Sequence, residues 1–183
     1  MRKLHIIING PGGVGKDSLI ESITKYKWRS ISSIDPYKEV AKQLGWDGSK
    51  DDISRKFLSD LKSLSIEYND FPAKYIYEEC VNFVENDDKY EILFIHIREP
   101  EEIKKVVELT GAITLLVTSG NREIHNGVYG NKSDDSVCDY NYDYAFVNES
   151  DLRTEGRNFN KLIDRIISDS SINITTLGEL SLI

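Results

Sequence analysis

The sequence predicts an α/β fold of three layers, with a five-stranded parallel sheet between helices. Three observations predict it. Five short apolar runs, over residues 3–9, 28–34, 91–97, 112–118 and 142–148, alternate with stretches of helical spacing, the pattern of a parallel sheet with crossover helices. The run Ile92-Leu93-Phe94-Ile95-His96-Ile97 is almost unbroken in apolar residues, as in a central strand covered on both faces. A glycine-rich loop, Gly10 to Gly15, joins the first run to the first helical stretch.

The elements follow in order. Residues 3–9 are the first strand and residues 15–27 its helix. The second strand runs from Trp28 to Ile34. Asp35 as N-cap, with Pro36 at the first helical position, opens a helix to Leu44 that Gly45 ends. Within 51–67, Ile53, Phe57, Leu61 and Leu64 form one apolar stripe, and within 72–86 the stripe is Ile76, Cys80, Phe83 and Val84; each is expected to face the core. Glu99 to Thr110 is helical up to Gly111, and residues 112–118 form a buried strand. Residues 119–141 lack periodicity and are rich in Gly, Asn, Ser and Asp; an aperiodic stretch of that length reads as a functional lid. After the last strand, residues 152–167 carry a stripe at Phe159, Leu162, Ile163, Ile166 and Ile167. The tail, 172–183, has no assignment. The 183 residues make one domain, with 35–90 a helical insert that can grip a second substrate and 119–141 the lid.

Composition narrows the function. The net charge of −8 disfavours nucleic acid as the main partner, because neutralising phosphates needs a basic face; small phosphorylated ligands need only a local basic pocket. No run approaches the length of a membrane span, and no signal peptide is visible. Cys80 and Cys138 lack metal-ligand spacing and read as reduced thiols of a cytoplasmic protein. His5, His96 and His125 are scattered and suggest no zinc site.

The loop carries the chemistry. Gly10, four residues, then Gly15-Lys16 is the spacing of the Walker A motif, placed after a strand and before a helix. Backbone N–H groups of Gly10, Gly12, Gly13, Val14 and Gly15 can converge on a polyphosphate, helped by the first turn of the helix. Lys16 supplies a point charge for the β and γ phosphates. The motif should continue with Ser or Thr as an Mg2+ ligand, but Asp17 stands there and Ser18 comes one step late. One step rotates a side chain by about 100°, so Ser18 is no simple substitute. Asp17 can meet the metal directly or through water, or it is only an acid favoured in a first turn.

Phosphoryl transfer also needs cations around the moving group. Arg98 follows the central strand directly and suits phosphate oxygens, unless Glu101 or Glu102 takes it as an ion pair. Arg122 and Lys132 lie in the lid and can close over phosphates, unless they are ordinary surface charges. His96 stands near the strand end where an acidic Walker B residue is usual; no such Asp is present, and His96 reads as a core histidine. Asp35 and Lys38 follow the second strand and can meet the acceptor. Arg55 and Lys62, seven apart on one helix face, can bind an anion or form a solvated face. Asn131-Lys132-Ser133-Asp134 matches a guanine-specificity motif but follows a polar loop rather than a buried strand, and reads as accidental.

Several segments together resemble the deoxynucleoside monophosphate kinases of bacteriophages and some bacteria. They are Gly15-Lys16-Asp17-Ser18, Asp35-Pro36-Tyr37-Lys38-Glu39, Ile95 to Pro100, Asn131 to Asp135, and Tyr142-Asp143-Tyr144 through Asn148. The resemblance covers residues 3–165. It implies a P-loop kinase fold of the adenylate kinase kind, ATP and magnesium, and transfer of the γ-phosphoryl group to a (deoxy)nucleoside monophosphate bound by the 35–90 insert. By the same resemblance Lys16 holds the β and γ phosphates, Asp17 lies near Mg2+, Arg98 contacts the transferring or acceptor phosphate, and Arg122 is a lid arginine. Two other readings stand beside this one. Animal phosphomevalonate kinases share Gly-Lys-Asp, so the acceptor can be another small phosphorylated molecule. The missing Walker B carboxylate suits a nucleotide-binding protein without turnover. Base and sugar preference are not legible, and neither is the choice between monomer and homodimer.

Overall fold

In the computed structural model, which describes residues 3–120, 136–149 and 152–180, the chain forms a five-stranded parallel sheet in the order β2-β3-β1-β4-β5. The strands are β1 (Leu4–Asn9), β2 (Trp28–Ser32), β3 (Ile92–His96), β4 (Ile113–Ser119) and β5 (Tyr144–Asn148). The helices are α1 (Lys16–Glu21), α2 (Asp35–Gln43), α3 (Asp52–Asn69), α4 (Phe71–Asn86), α5 (Pro100–Thr110) and α6 (Leu152–Leu180). β1 is central, and the register aligns Ile8 with His96 and His96 with Ser32.

The expected layers are present. Alternate residues of β1 and β3 point to opposite faces, and each face is buried. Ile6, Ile8 and Phe94 pack with Leu19, Ile20 and Ile23 of the α1 segment and with Phe159, Ile163 and Ile166 of α6. Ile7, Leu93 and Ile95 pack with Ile76, Cys80 and Phe83 of α4 and with Ile103 and Val106 of α5. No described helix is long and apolar enough to cross a membrane.

Several boundaries differ from the sequence reading. α1 ends at Glu21 rather than near 27, because Ser22 turns the chain: its Oγ donates to Leu19 O (2.6 Å) and its carbonyl accepts from Asn160 Nδ2 of α6 (3.0 Å). α2 is capped by Ile34, not Asp35. Asp35 is instead the first helical residue, and its carboxylate folds back to accept from Ser32 N–H (2.8 Å), which also stops β2 at Ser32. β5 starts at Tyr144 because the Asp143 carboxylate accepts from both Thr114 N–H and Thr114 Oγ1 (2.8 Å each) at the edge of β4. α6 continues through 172–180, the segment left unassigned above.

The largest departure is α3. Its stripe is only partly covered: Phe57 and Leu61 are half-buried while Ile53 and Leu64 are exposed, as is Val84 of the α4 stripe. The residues that α3 buries are Ser54 and Lys62. Lys62 is therefore neither a solvated charge nor an open anion site. Its ammonium donates to Ser33 Oγ (3.0 Å) and Glu99 Oε2 (2.7 Å) and lies 2.6 Å from Glu102 Oε2. Burial works against the charge on Lys62, yet Glu102 and Glu99 outweigh it and hold the ammonium above the ordinary lysine range. Burial likewise pushes Glu102 up, while Lys62 keeps Glu99 low against the same penalty. Tyr37 of α2 joins the same side through its hydroxyl contact with Ser65. This polar seam ties the helical insert to the end of β2 and the start of α5.

Removing one member of such a cluster strands a buried charge. Lys62→Met is expected to cost about 3–5 kcal/mol of stability, read from urea unfolding. Adding Glu102→Gln should recover part of that loss. A Lys62→Met protein as stable as wild type would contradict the seam.

Candidate functional site

The glycine loop leaves the carboxyl end of β1, between β3 and β4, where an open parallel sheet places its ligand site. Two glycines are required there. Gly10 has φ +149°, and a Cβ on it would lie 2.1 Å from Val117 O of β4. Gly15 has φ +86°, caps α1, and a Cβ on it would lie 2.6 Å from Asn148 Nδ2. Side chains fix the loop from both sides. Asn9 Oδ1 accepts from Gly10 N–H (2.8 Å), while Asn9 Nδ2 donates to Arg98 O (3.1 Å) and Tyr142 Oη (2.7 Å). Burial pushes the Tyr142 phenol up to about 12, so it keeps its proton and donates to Val137 O (2.9 Å). Asn148, at the end of β5, donates to Val14 O (2.8 Å). Val14 is buried in the core, so its side chain anchors the loop and only its backbone is available to a ligand.

Lys16 folds over this loop, with Nζ 2.6 Å from Gly10 O and 3.0 Å from Pro11 O. Gly13 is exposed with φ +74°. Asp17 and Ser18 are exposed on the first turn of α1. His96, half-buried at the end of β3, is in register with Ile8 of β1. Burial lowers its imidazole below the ordinary value; Asp17 and Asp35 oppose this, and Lys16 and Lys38 reinforce it. His96 thus senses four of the charged groups in the region.

The other candidates divide. Asp35 and Lys38 stand together at the start of α2 as an ion pair (2.8 Å). Arg98 is exposed one step past Ile97, with its backbone carbonyl held by Asn9. Glu102, one of the two acids expected to compete for Arg98, is instead buried against Lys62. Arg55 is exposed on α3, two turns before Lys62. Arg122, Lys132, the Asn131–Asp134 motif and most of the 119–141 lid lie outside the described residues. Asn9 and Asn148 were missed; the only signal for them was a lone amide at the end of each of two apolar runs.

The described residues contain no cluster of three or more His, Cys, Asp or Glu that could hold a metal ion. A magnesium ion does not need one, because it keeps several waters and takes one or two carboxylates plus substrate phosphates. Asp17, exposed beside Lys16, fits that role. Both cysteines are free: Cys80 is buried, which pushes its thiol up to about 12, and Cys138 is exposed.

No protein-family model and no curated protein matches the chain. Among solved structures, it is similar to the shikimate kinase of Aquifex aeolicus VF5 at 10% identity and a TM-score of 0.43, over 91% of this chain and 98% of that one. A sugar kinase from Janibacter sp. HTCC2649 matches at 15% identity and a TM-score of 0.42, covering 88% and 92%. A de novo designed protein of P-loop NTPase fold matches at 15% identity and a TM-score of 0.34, covering 92% and 96%. The α/β P-loop fold itself rests on the strand order and the loop geometry above.

The histidines give a pH dependence. The folded protein holds His96 and His5 below the ordinary value, by burial in each case, whereas the unfolded chain protonates them near pH 6.5. Below that pH the unfolded state binds more protons, so stability rises with pH through this window and falls as the solution is acidified. Melting temperatures between pH 5 and 7.5 should show that slope, and His96→Asn should reduce it, leaving the share of His5.

Proposed function

We propose that the chain is an ATP-dependent kinase that transfers the γ-phosphoryl group to the phosphate of a (deoxy)nucleoside monophosphate, giving the diphosphate. One observation carries the reading: a glycine loop pinned between β1, β4 and β5, with the Lys16 ammonium folded across it at the carboxyl end of the sheet. In this reading the loop N–H groups bind the polyphosphate and Lys16 turns from the carbonyls of Gly10 and Pro11 to the β and γ oxygens. Asp17 holds Mg2+, which neutralises phosphate charge when bound. Arg98 steadies the transferring or acceptor phosphate with its forked guanidinium. His96 stays neutral and takes no proton, because the acceptor oxygen is already anionic. The acceptor lies between the helical insert and the sheet, near Asp35, Lys38 and Arg55.

A second reading has an observation of its own. Two of the cations beside the insert already hold carboxylates, Lys38 with Asp35 and Lys62 with Glu99 and Glu102. That favours a small acceptor other than a nucleotide, phosphomevalonate among the candidates. A nucleotide-binding protein without turnover is the third outcome.

Titration calorimetry with ATP and magnesium, followed by ADP release against a panel of acceptors, separates these. Turnover with nucleoside or deoxynucleoside monophosphates is expected, and Lys16→Ala should lower it by about 10²–10³-fold. Turnover with phosphomevalonate alone would reject the nucleotide acceptor. ATP binding without ADP release under any acceptor would reject catalysis. No binding heat, with Lys16→Ala indistinguishable from wild type, would reject the P-loop assignment itself.

A further inference from the structure

The backbone at Arg98 is held from two parts of the molecule at once. The ladder joining β1 to β3 ends at the pair Ile8 and His96. Past that point a side chain takes over: the Asn9 amide, 1% exposed, donates from Nδ2 to Arg98 O (3.1 Å). Its neighbours settle which way that amide faces. Gly10 N–H can only donate, so Oδ1 must face it (2.8 Å). The NH2 group is left with two acceptors, Arg98 O and Tyr142 Oη (2.7 Å), and the phenol donates its own proton to Val137 O (2.9 Å). A buried network whose donors are all used fixes one arrangement.

The second hold comes from the helical insert. Arg98 O belongs to the peptide unit whose nitrogen is that of Glu99, and Lys62 of α3 donates to Glu99 Oε2 (2.7 Å). The same ammonium donates to Ser33 Oγ (3.0 Å), just past β2, and Ser33 N–H donates to His96 O (3.2 Å). Glu102, three residues on, closes the group at 2.6 Å from Lys62. One peptide unit is therefore tied at its carbonyl to the residue that leads into the glycine loop. Through the side chain of its following residue it is tied to the insert. Neither hold involves the Arg98 guanidinium itself.

We infer that Asn9 and the Lys62–Glu99 pair are positioning residues for Arg98, which together fix its place between the glycine loop and the insert. This role rests on the kinase reading above, in which the loop holds ATP, the insert holds the acceptor and Arg98 steadies the phosphate between them. Transfer needs the two phosphates at a defined separation, and a displacement of about 1 Å can cost about 10²-fold in rate. A peptide clamped to both binding regions supplies that separation. Asn9 and Glu99 act through Arg98 and need not touch either substrate.

Double-mutant cycles on the full chain test this, with turnover measured on whichever acceptor the wild type phosphorylates. ATP affinity is read by calorimetry and folding by far-UV circular dichroism. Glu99→Ala is the cleaner variant, because the Glu99 side chain is 41% exposed and Lys62 keeps Glu102. It should lower kcat by about tenfold with ATP affinity unchanged. Glu99→Gln, which keeps an oxygen for Lys62, should restore most of that loss. Asn9→Ala should lower kcat by about 10–100-fold and also weaken ATP binding, through Gly10. In an Arg98→Ala background each loss in kcat should shrink to about threefold or less, since the group being positioned is gone. General damage to the fold would cost the same with and without Arg98. Glu99→Ala decides the matter where Asn9→Ala does not fold. Losses that persist undiminished in the Arg98→Ala background overturn the inference and leave the kinase reading standing, as does a wild-type kcat for Glu99→Ala. A wild type that turns over no acceptor overturns the kinase reading and the inference with it.

Discussion

The whole arrangement depends on how closely one turn of backbone approaches two strands that come much later in the chain. Gly10 sits so near Val117 O that no side chain fits, and Gly15 sits under the amide of Asn148. A phosphate-binding loop must hold several N–H groups in a strained concavity, and strain persists only where the surroundings over-determine it. Here the determinants come from every side. Val14 is rooted in the core, Asn9 ties the loop entrance to Arg98 and Tyr142, and Asn148 holds Val14 O. The order β2-β3-β1-β4-β5 brings them together, since only a central β1 has β3 on one side and β4, with β5 behind it, on the other.

Electrostatics then sets where an anion can bind on a protein of net charge −8. The loop offers oriented backbone dipoles and Lys16, which need no net positive charge elsewhere. Basic groups of the insert are already balanced: Lys38 by Asp35 and Lys62 by two glutamates. Balanced cations give little long-range attraction, so ligand capture relies on the short-range geometry of the loop. This geometry explains why its anchoring residues are amides and a tyrosine rather than further charges. Neutral donors and acceptors fix the backbone without competing for the phosphate.

What the sequence made legible follows from the range of the interactions involved. The strand–loop–helix at 4–21 was readable because spacing alone encodes it: apolar run, glycines at fixed offsets, lysine. The sheet and its layers were readable because Ile92 to Ile97 and the stripes of α4 and α6 obey simple periods. Asp35 was misassigned as a cap because its carboxylate reaches back to Ser32 N–H, and local propensity does not distinguish Ncap from N1. Asn9 and Asn148 were invisible because their value lies in contacts to residues up to 134 positions away. Lys62 was misread for the same reason: its partners Glu99 and Glu102 are 37 and 40 residues further on, and a lysine on a helix ordinarily faces water.

The orientation of α3 follows from competition between its two faces. Turning the helix by about one residue step would bury the stripe and gain about 1.5–3 kcal/mol for each of Ile53, Leu64 and Tyr68 fully covered. It would also pull Lys62 away from Glu102, at about 3–5 kcal/mol, and break the side-chain contacts of Ser54 and Ser65, each worth about 0.5–1.5 kcal/mol. The two totals are close, so burial of the insert's own apolar residues cannot by itself choose the orientation. What the structure turns inward is the polar seam, with Lys62 held by Ser33, Glu99 and Glu102. A helix with its polar face inward is therefore a coherent solution. The ion cluster ties the insert to the end of β2 and the start of α5, and Ile53, Leu64 and Tyr68 are left outside.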